Sequence, residues 1–224
     1  MHILAESALG CFLRAGLGPE KLQDQQGQGK NHKLAMLQLI CVLFLAAEVA
    51  PAPSKVRQNF HDDSEAGINK QINMELYASY VYMSMASYFA HDDVSLEGFS
   101  RLFRRMSEEE RQHANVLVDY QNKRGGHVVY RNVQPPQHPT FSSGLDAMQA
   151  ALDLEKQINQ ALLDLYRTAD RHGDPQMQDF LNYHFLKEEV KRIKQLGDYV
   201  EKLKRVGSGL GEYTFDRDIL GGGK

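Results

Sequence analysis

The sequence predicts an all-α protein: a four-helix bundle with a long crossover between helices two and three and a short fifth helix at the C-terminus. Three observations carry that expectation. Apolar residues recur at helical spacing in four long segments. Trp is absent, helix formers are plentiful, and Pro and Gly fall mostly between those segments or near the ends. A stretch of about 20 residues without helical period separates the second and third segments, and loops of that length inside a domain usually have a geometric reason. Here the reason is two parallel neighbours joined along the whole length of the bundle.

The 224 residues are enough to bury a sizeable core, and a net charge of −3 leaves no basic footprint for nucleic acid. Both cysteines, Cys11 and Cys41, precede residue 50. The periodic part therefore has no thiol, which removes disulfide scaffolds, cysteine zinc sites and cysteine nucleophiles.

Residues 1–55 are expected to lie outside the fold. Residues 34–47 form an apolar run after His32 and Lys33, before small residues and prolines, and resemble the core of a secretory signal cleaved after Ala47. The run is too short for a membrane span, which needs roughly 20 residues, so no membrane partner is expected. Against a signal stand the long, aperiodic Met1–Gly29 lead and the option of a start at Met36. The protein is secreted if 34–47 works as a signal and cytoplasmic otherwise.

The first helix is expected from about Asp63 to His91, with Ile68, Ile72, Leu76 and Met83 on one side. Glu75 interrupts that side, and Tyr82 follows seven residues later on the same face. Asp92-Asp93-Val94 is a short link, so the second helix is an antiparallel neighbour, with Ser95 as its cap and Glu97 in its first turn. Gly98 weakens that start slightly. Phe99, Phe103, Met106, Leu117 and Tyr120 mark the inner stripe, and Glu110 and His113 lie on it where a Leu would be expected.

After the aperiodic stretch, the third helix starts near Ser143 and carries Leu145, Met148, Leu152, Ile158, Leu162 and Leu165, with Glu155 in series. His172-Gly173-Asp174-Pro175 supplies a stop, a cap and a first-turn Pro. The fourth helix shows Leu186, Val190, Ile193 and Val200, with Glu189 on or beside that face. Gly207-Ser208-Gly209 ends it, leaving Glu212 to Leu220 for the short fifth helix.

Glu75, Glu110, His113, Glu155 and Glu189 thus fall on the inner faces of four helices. One buried acid is ordinarily a salt bridge, and burying an unpaired charge costs several kcal/mol or more. This set lacks matching inward cations, because Lys156 and Lys187 are turned off the face by helical spacing. A metal answers the charge problem best. Oxygen-rich donors with one imidazole suit iron, manganese or zinc.

At these motifs the chain resembles animal ferritin of the heavy-chain type. Residues from about Val56 to Leu220 carry the likeness, through Val56-Arg57-Gln58-Asn59-Phe60-His61, Ile72-Asn73-Met74-Glu75-Leu76-Tyr77-Ala78-Ser79-Tyr80-Val81-Tyr82, Glu109-Glu110-Arg111-Gln112-His113-Ala114 and Leu196-Gly197-Asp198. The resemblance implies a ferritin-like di-iron domain over 56–224 that oxidises Fe(II) with O2 and deposits Fe(III) inside a 24-subunit shell, as a homo-oligomer or co-assembled with another ferritin chain. It implies two irons per subunit. Glu75, Glu110 and His113 would hold the first, Glu110 would bridge, Glu155 would hold the second and Tyr82 would hydrogen-bond the site.

Departures from the family pattern add further expectations. Glu189 stands where heavy chains commonly have Gln, adding charge at the second iron. At the iron entry channel Asp179 matches, whereas Asn182 replaces an acid and Tyr166 a His, so cations are focused less strongly. At the mineral-nucleating patch Glu108 and Glu109 are present, but Gln112 and Asn115 take places often held by acids; a solvated helix face explains the two Glu residues equally well. The competing function is a storage subunit with weak ferroxidase activity that relies on partner chains. A small DNA-protecting relative is disfavoured by the missing basic tail and by the fifth-helix segment.

Overall fold

The computed structural model describes residues 54–221; the 34–47 segment and both cysteines lie outside the described residues. Its regular structure is helical: α1 (Asp62–Ala90), α2 (Glu97–Lys123), α3 (Gly144–Arg171), α4 (Pro175–Leu181), α5 (Lys187–Val206) and α6 (Leu210–Phe215). A π-helical turn at Asn182–Leu186 joins α4 to α5 as the fourth long helix, and α6 runs on into a π turn at Asp216–Leu220. No described helix is long and apolar enough to cross a membrane.

α1 is capped by His61, whose side chain accepts from the Asp63 N–H at 3.1 Å, with Asp62, Asp63 and Glu65 in the first turn where the helix dipole favours acids. It returns through a short link into α2, and the two helices touch at small residues. Ser79 donates to the Ser107 carbonyl at 2.8 Å, and Ser107 donates to that of Ser79 at 2.7 Å. Such reciprocal bonds need backbones close enough for a hydroxyl to span them.

The crossover runs back along α1. Asn69 donates to the His127 carbonyl and accepts from the Val129 N–H, both at 2.9 Å, while Tyr88 donates to the Phe141 carbonyl at 2.5 Å. From Asn69 to Tyr88 is about 28 Å of helix at 1.5 Å per residue. The aperiodic stretch therefore spans the bundle, and α2 and α3 run in the same direction.

One guanidinium ties the end where α2 stops. Arg124 donates to Asp174 at 2.8 Å and to the Asn59 carbonyl at 2.8 Å, and lies over the Phe60 ring at 4.9 Å. Asp174 is itself buried and caps α4 by accepting from the Met177 N–H at 3.0 Å. Pro175 follows at the first helical position, as the sequence predicts.

The start of α2 differs from expectation. Ser95 adopts φ +51°, and the capping position Leu96 has no side-chain bond to give. The acceptor comes instead from Asp216, whose Oδ1 takes the Phe99 N–H at 2.8 Å across 117 residues. A Cβ on Gly98 would lie 2.2 Å from the Asp216 carbonyl oxygen, so the glycine that weakens this helix start is what lets the C-terminal segment reach it. Glu212 repeats the device at α3, where it accepts from the Gly144 N–H at 2.5 Å beside the expected Ser143 cap.

Two inward faces are rotated from the predicted ones. On α1 the buried positions include Ile68, Gln71, Ile72, Glu75, Ala78, Tyr82, Met85 and Phe89; Leu76 is half-buried, and Met83 is 55% exposed because it stands about 100° round from Tyr82. In the fourth helix the buried positions Met177, Leu181, Phe185 and Glu189 recur every four residues. A 3.6-residue helix would drift about 40° at each such step, and the wider π turn at Asn182–Leu186 takes up the drift. Glu189 faces inward as a result, and Val190 is 66% exposed.

Candidate metal centre

Each long helix brings one carboxylate to the middle of the bundle. Glu75 (α1), Glu110 (α2), Glu155 (α3) and Glu189 (α5) are each 0% exposed, and His113 stands one turn beyond Glu110. Donor atoms of Glu75, Glu110 and His113 lie within 4.8 Å of one another. Gln71 donates to Glu75 at 2.7 Å, His113 Nδ1 is 2.9 Å from Glu110 Oε2, and Tyr82 donates to Glu155 Oε1 at 2.6 Å. Four carboxylate oxygens, Glu75 Oε2, Glu155 Oε2 and both of Glu189, are buried with no hydrogen-bond partner.

Arg192 is the residue that sequence reasoning missed. Its Nη1 bonds Glu110 Oε1 and lies 3.5 Å from Glu155 Oε1, and its Nη2 is 3.1 Å from Glu109 Oε2. The expectation that no inward cation faces the acids is therefore corrected. Lys156 and Lys187 do face away, but Arg192 follows Glu189 by three residues and shares its face. A regular stripe through Val190 and Ile193 places Arg192 at the edge, whereas the π-shifted stripe places it inside.

The charges settle accordingly. Burial, then the charge of Glu110, pushes Glu75 well above the ordinary carboxylate range. Burial and Glu110 push Glu155 up to about 7 against the pull of Arg192, and burial with Glu155 and Glu110 pushes Glu189 up to about 9. Glu110 is buried too, yet the His113 bond and the Arg192 charge outweigh burial and hold it below the usual range. For His113 burial favours the neutral ring, but the bond to Glu110 and its charge overcome this and raise it. Burial also raises Tyr82, with the Glu155 charge adding to the effect. Protons and one guanidinium thus stand in for the missing positive charge.

The donor set fits a divalent cation. Unpartnered buried carboxylate oxygens cost free energy that a cation returns, and oxygen donors with one imidazole suit iron, manganese or zinc. An open cleft between α2 and α5, lined by Glu109, Gln112, His113, Glu188, Lys191 and Arg192, reaches the edge of this cluster at His113 and Arg192, and the four buried carboxylates lie behind it.

The other predicted residues lie outside the buried cluster, with Glu109 touching its edge through Arg192. Asp179 and Asn182 are exposed where α4 meets the π turn, and Tyr166 is half-buried on α3. Glu108 pairs with Arg111 at 2.5 Å, while Glu109 lies at the cleft mouth between Arg105 at 3.6 Å and Arg192. Two His–Asp groups outside the centre, His61–Asp63–His172 and His91–Asp92–Asp93, are mostly exposed.

A helical bundle whose inner faces converge carboxylates and an imidazole has the architecture of the carboxylate metal proteins. Residues 65–206 match the family model of the ferritin-like domain. The chain is 58% identical over 167 residues to soma ferritin of Lymnaea stagnalis, covering 75% of this chain and 96% of that one. It is 54% identical over 169 residues to ferritin-1 heavy chain of Schistosoma mansoni, covering 75% and 98%. The chain belongs to the ferritin family, whose members store iron and generally assemble as multi-subunit shells.

Proposed function

We propose that this chain is an iron-storage subunit that oxidises its own substrate, Fe(II), with O2 at the buried centre before the metal is deposited as Fe(III) mineral. The observation that carries this reading is the set of unpartnered buried carboxylate oxygens on α1, α3 and α5, facing Glu110 and His113 on α2. Two Fe(II) ions per subunit are the substrate: Glu75, Glu110 and His113 receive the first, Glu110 is shared between the two, and Glu155 with Glu189 completes the second. Each Fe(II) gives up one electron. A carboxylate-rich site favours the product, because hard oxygen donors hold the higher charge more strongly. Tyr82 fixes the orientation of Glu155 through its 2.6 Å bond.

Asp179 is assigned to iron entry and Glu108 and Glu109 to mineral nucleation, with assembly as a 24-subunit shell, alone or with another ferritin chain. Exposed apolar side chains support assembly, among them Met83 at 55%, Tyr130 at 67% and Leu210 at 79%. A second reading, a storage subunit of weak ferroxidase activity working beside active partners, is favoured by Arg192, which already neutralises part of the centre. Oxygen uptake by the purified homopolymer on addition of Fe(II) decides between them. Rapid uptake that a Glu110→Ala variant lacks supports the ferroxidase; no uptake by the unaltered chain leaves only the storage role.

A further inference from the structure

The two halves of the centre are unequally equipped. On α2 the motif is Glu110-x-x-His113, whereas on the fourth helix the same spacing reads Glu189-x-x-Arg192. One turn beyond each carboxylate the same face presents an imidazole in the first case and a guanidinium in the second. An imidazole has a lone pair to offer a metal. A guanidinium has five N–H donors, no acceptor, and a charge it does not lose.

Position sharpens the contrast. Arg192 Nη1 lies between Glu110, the carboxylate shared by the two cations, and Glu155, a carboxylate of the second. Among the described residues no guanidinium pairs with Glu75 or His113. Nη2 points the other way, to Glu109 at the cleft mouth, where Glu109 is 40% and Glu188 58% exposed. The side chain thus already has one hand on an outward acceptor, and its flexible stem lines the cleft through which it would move.

We propose that Arg192 is an internal counter-ion that fills the second-cation position and must swing out to Glu109 and Glu188 before a second divalent ion can bind. The inference rests on the reading of the centre as a metal site. It makes Arg192 a positioning residue that sets how many cations the centre takes. The first ion enters at Glu75, His113 and Glu110 Oε2, the oxygen that faces His113, and leaves Arg192 on Glu110 Oε1; the second displaces Arg192 from Glu110 Oε1 and Glu155.

The test is calorimetric titration of redox-inert Zn2+ into the metal-stripped, assembled full-length protein, comparing the unaltered chain with Arg192→Gln and Arg192→Lys. A His113→Ala, Glu110→Ala chain run alongside registers ions bound at the exposed His–Asp groups, and its heat is subtracted. The unaltered chain and Arg192→Lys are expected to take one tight equivalent per subunit, with the second at least about tenfold weaker. Arg192→Gln is expected to take two of similar affinity. Two equal equivalents in the unaltered chain, or one in Arg192→Gln, overturn the proposal and leave the metal centre standing. No centre-dependent binding in any chain overturns both. Should Arg192→Gln fail to fold, Glu109→Gln serves: without its outward partner Arg192 stays in, and the second equivalent weakens further; unchanged second-site affinity rejects the displacement.

Discussion

Phe103 and Glu110 stand two turns apart on the same inward face of α2, and their surroundings are opposite in kind. Around Phe103 the core is aromatic. Phe89 stacks on it at 5.7 Å and on Phe99 at 4.9 Å, and Phe215 of α6 reaches Phe99 at 5.9 Å. Around Glu110 the four long helices bury acids. Tyr82 marks the border, with its ring stacked on Phe103 at 6.1 Å and its hydroxyl on Glu155. The aromatic half stabilises the fold by area removed from water, which depends on neither proton nor metal. The carboxylate half costs stability unless protons, Arg192 or a cation neutralise it. The bundle can carry such a centre because the other half of its core is well filled.

The largest expected effect probes the aromatic half. Phe103→Ala should cost about 3–5 kcal/mol in denaturant unfolding, the usual range for a buried aromatic, and by the same amount at pH 5.5 and 8.5, with or without divalent cation. A loss that varies with pH or metal would mean that the two halves are not separable.

The next effect belongs to the acids. Glu155 and Glu189 have folded-state pKa values of about 7 and about 9, raised from 4.5. Their neutral forms are favoured by folding, so the stability they contribute is complete below about pH 4.5 and is lost as pH rises through 7 and then 9. His113, also raised, acts in the same direction. The metal-free protein should therefore be less stable at pH 8.5 than at pH 5.5, by an amount on the order of a few kcal/mol read as a lower melting temperature, and Zn2+ should remove most of the difference. A metal-free melting temperature that is flat or rises over this window would show that the carboxylates are not held neutral.

The smallest effect concerns one acid. Glu189→Gln should leave metal-free stability at pH 5.5 little changed and raise it at pH 8.5 by roughly 3 kcal/mol, its share of the loss over this window, since an amide needs no proton to stay neutral. The same change should weaken Fe(II) binding at the second position and speed iron release. Ferrous titrations with identical affinity and turnover would remove Glu189 from the ligand set.

The helices, the crossover and the inward direction of Glu75, Glu110, His113 and Glu155 were legible in the sequence, because each depends on periodicity within one segment. Periodicity misleads where the helix is not regular. Val190 reads as core and is exposed, because the π turn at Asn182–Leu186 rotates the stripe onto Glu189. Within the second segment Gly98 alone is a trace of a close approach, and it does not say that the cap comes from Asp216.

By itself, then, the sequence determined the bundle and the acids it must neutralise, since helical spacing and the cost of burying charge are properties of short stretches of chain. What neutralises those acids was decided only in the tertiary structure. A long, flexible arginine can carry its charge to solvent or to the core, and the choice depends on which acceptors other helices bring within reach. Here Glu110 and Glu155 come from helices distant in sequence, and Arg192 turns inward to meet them.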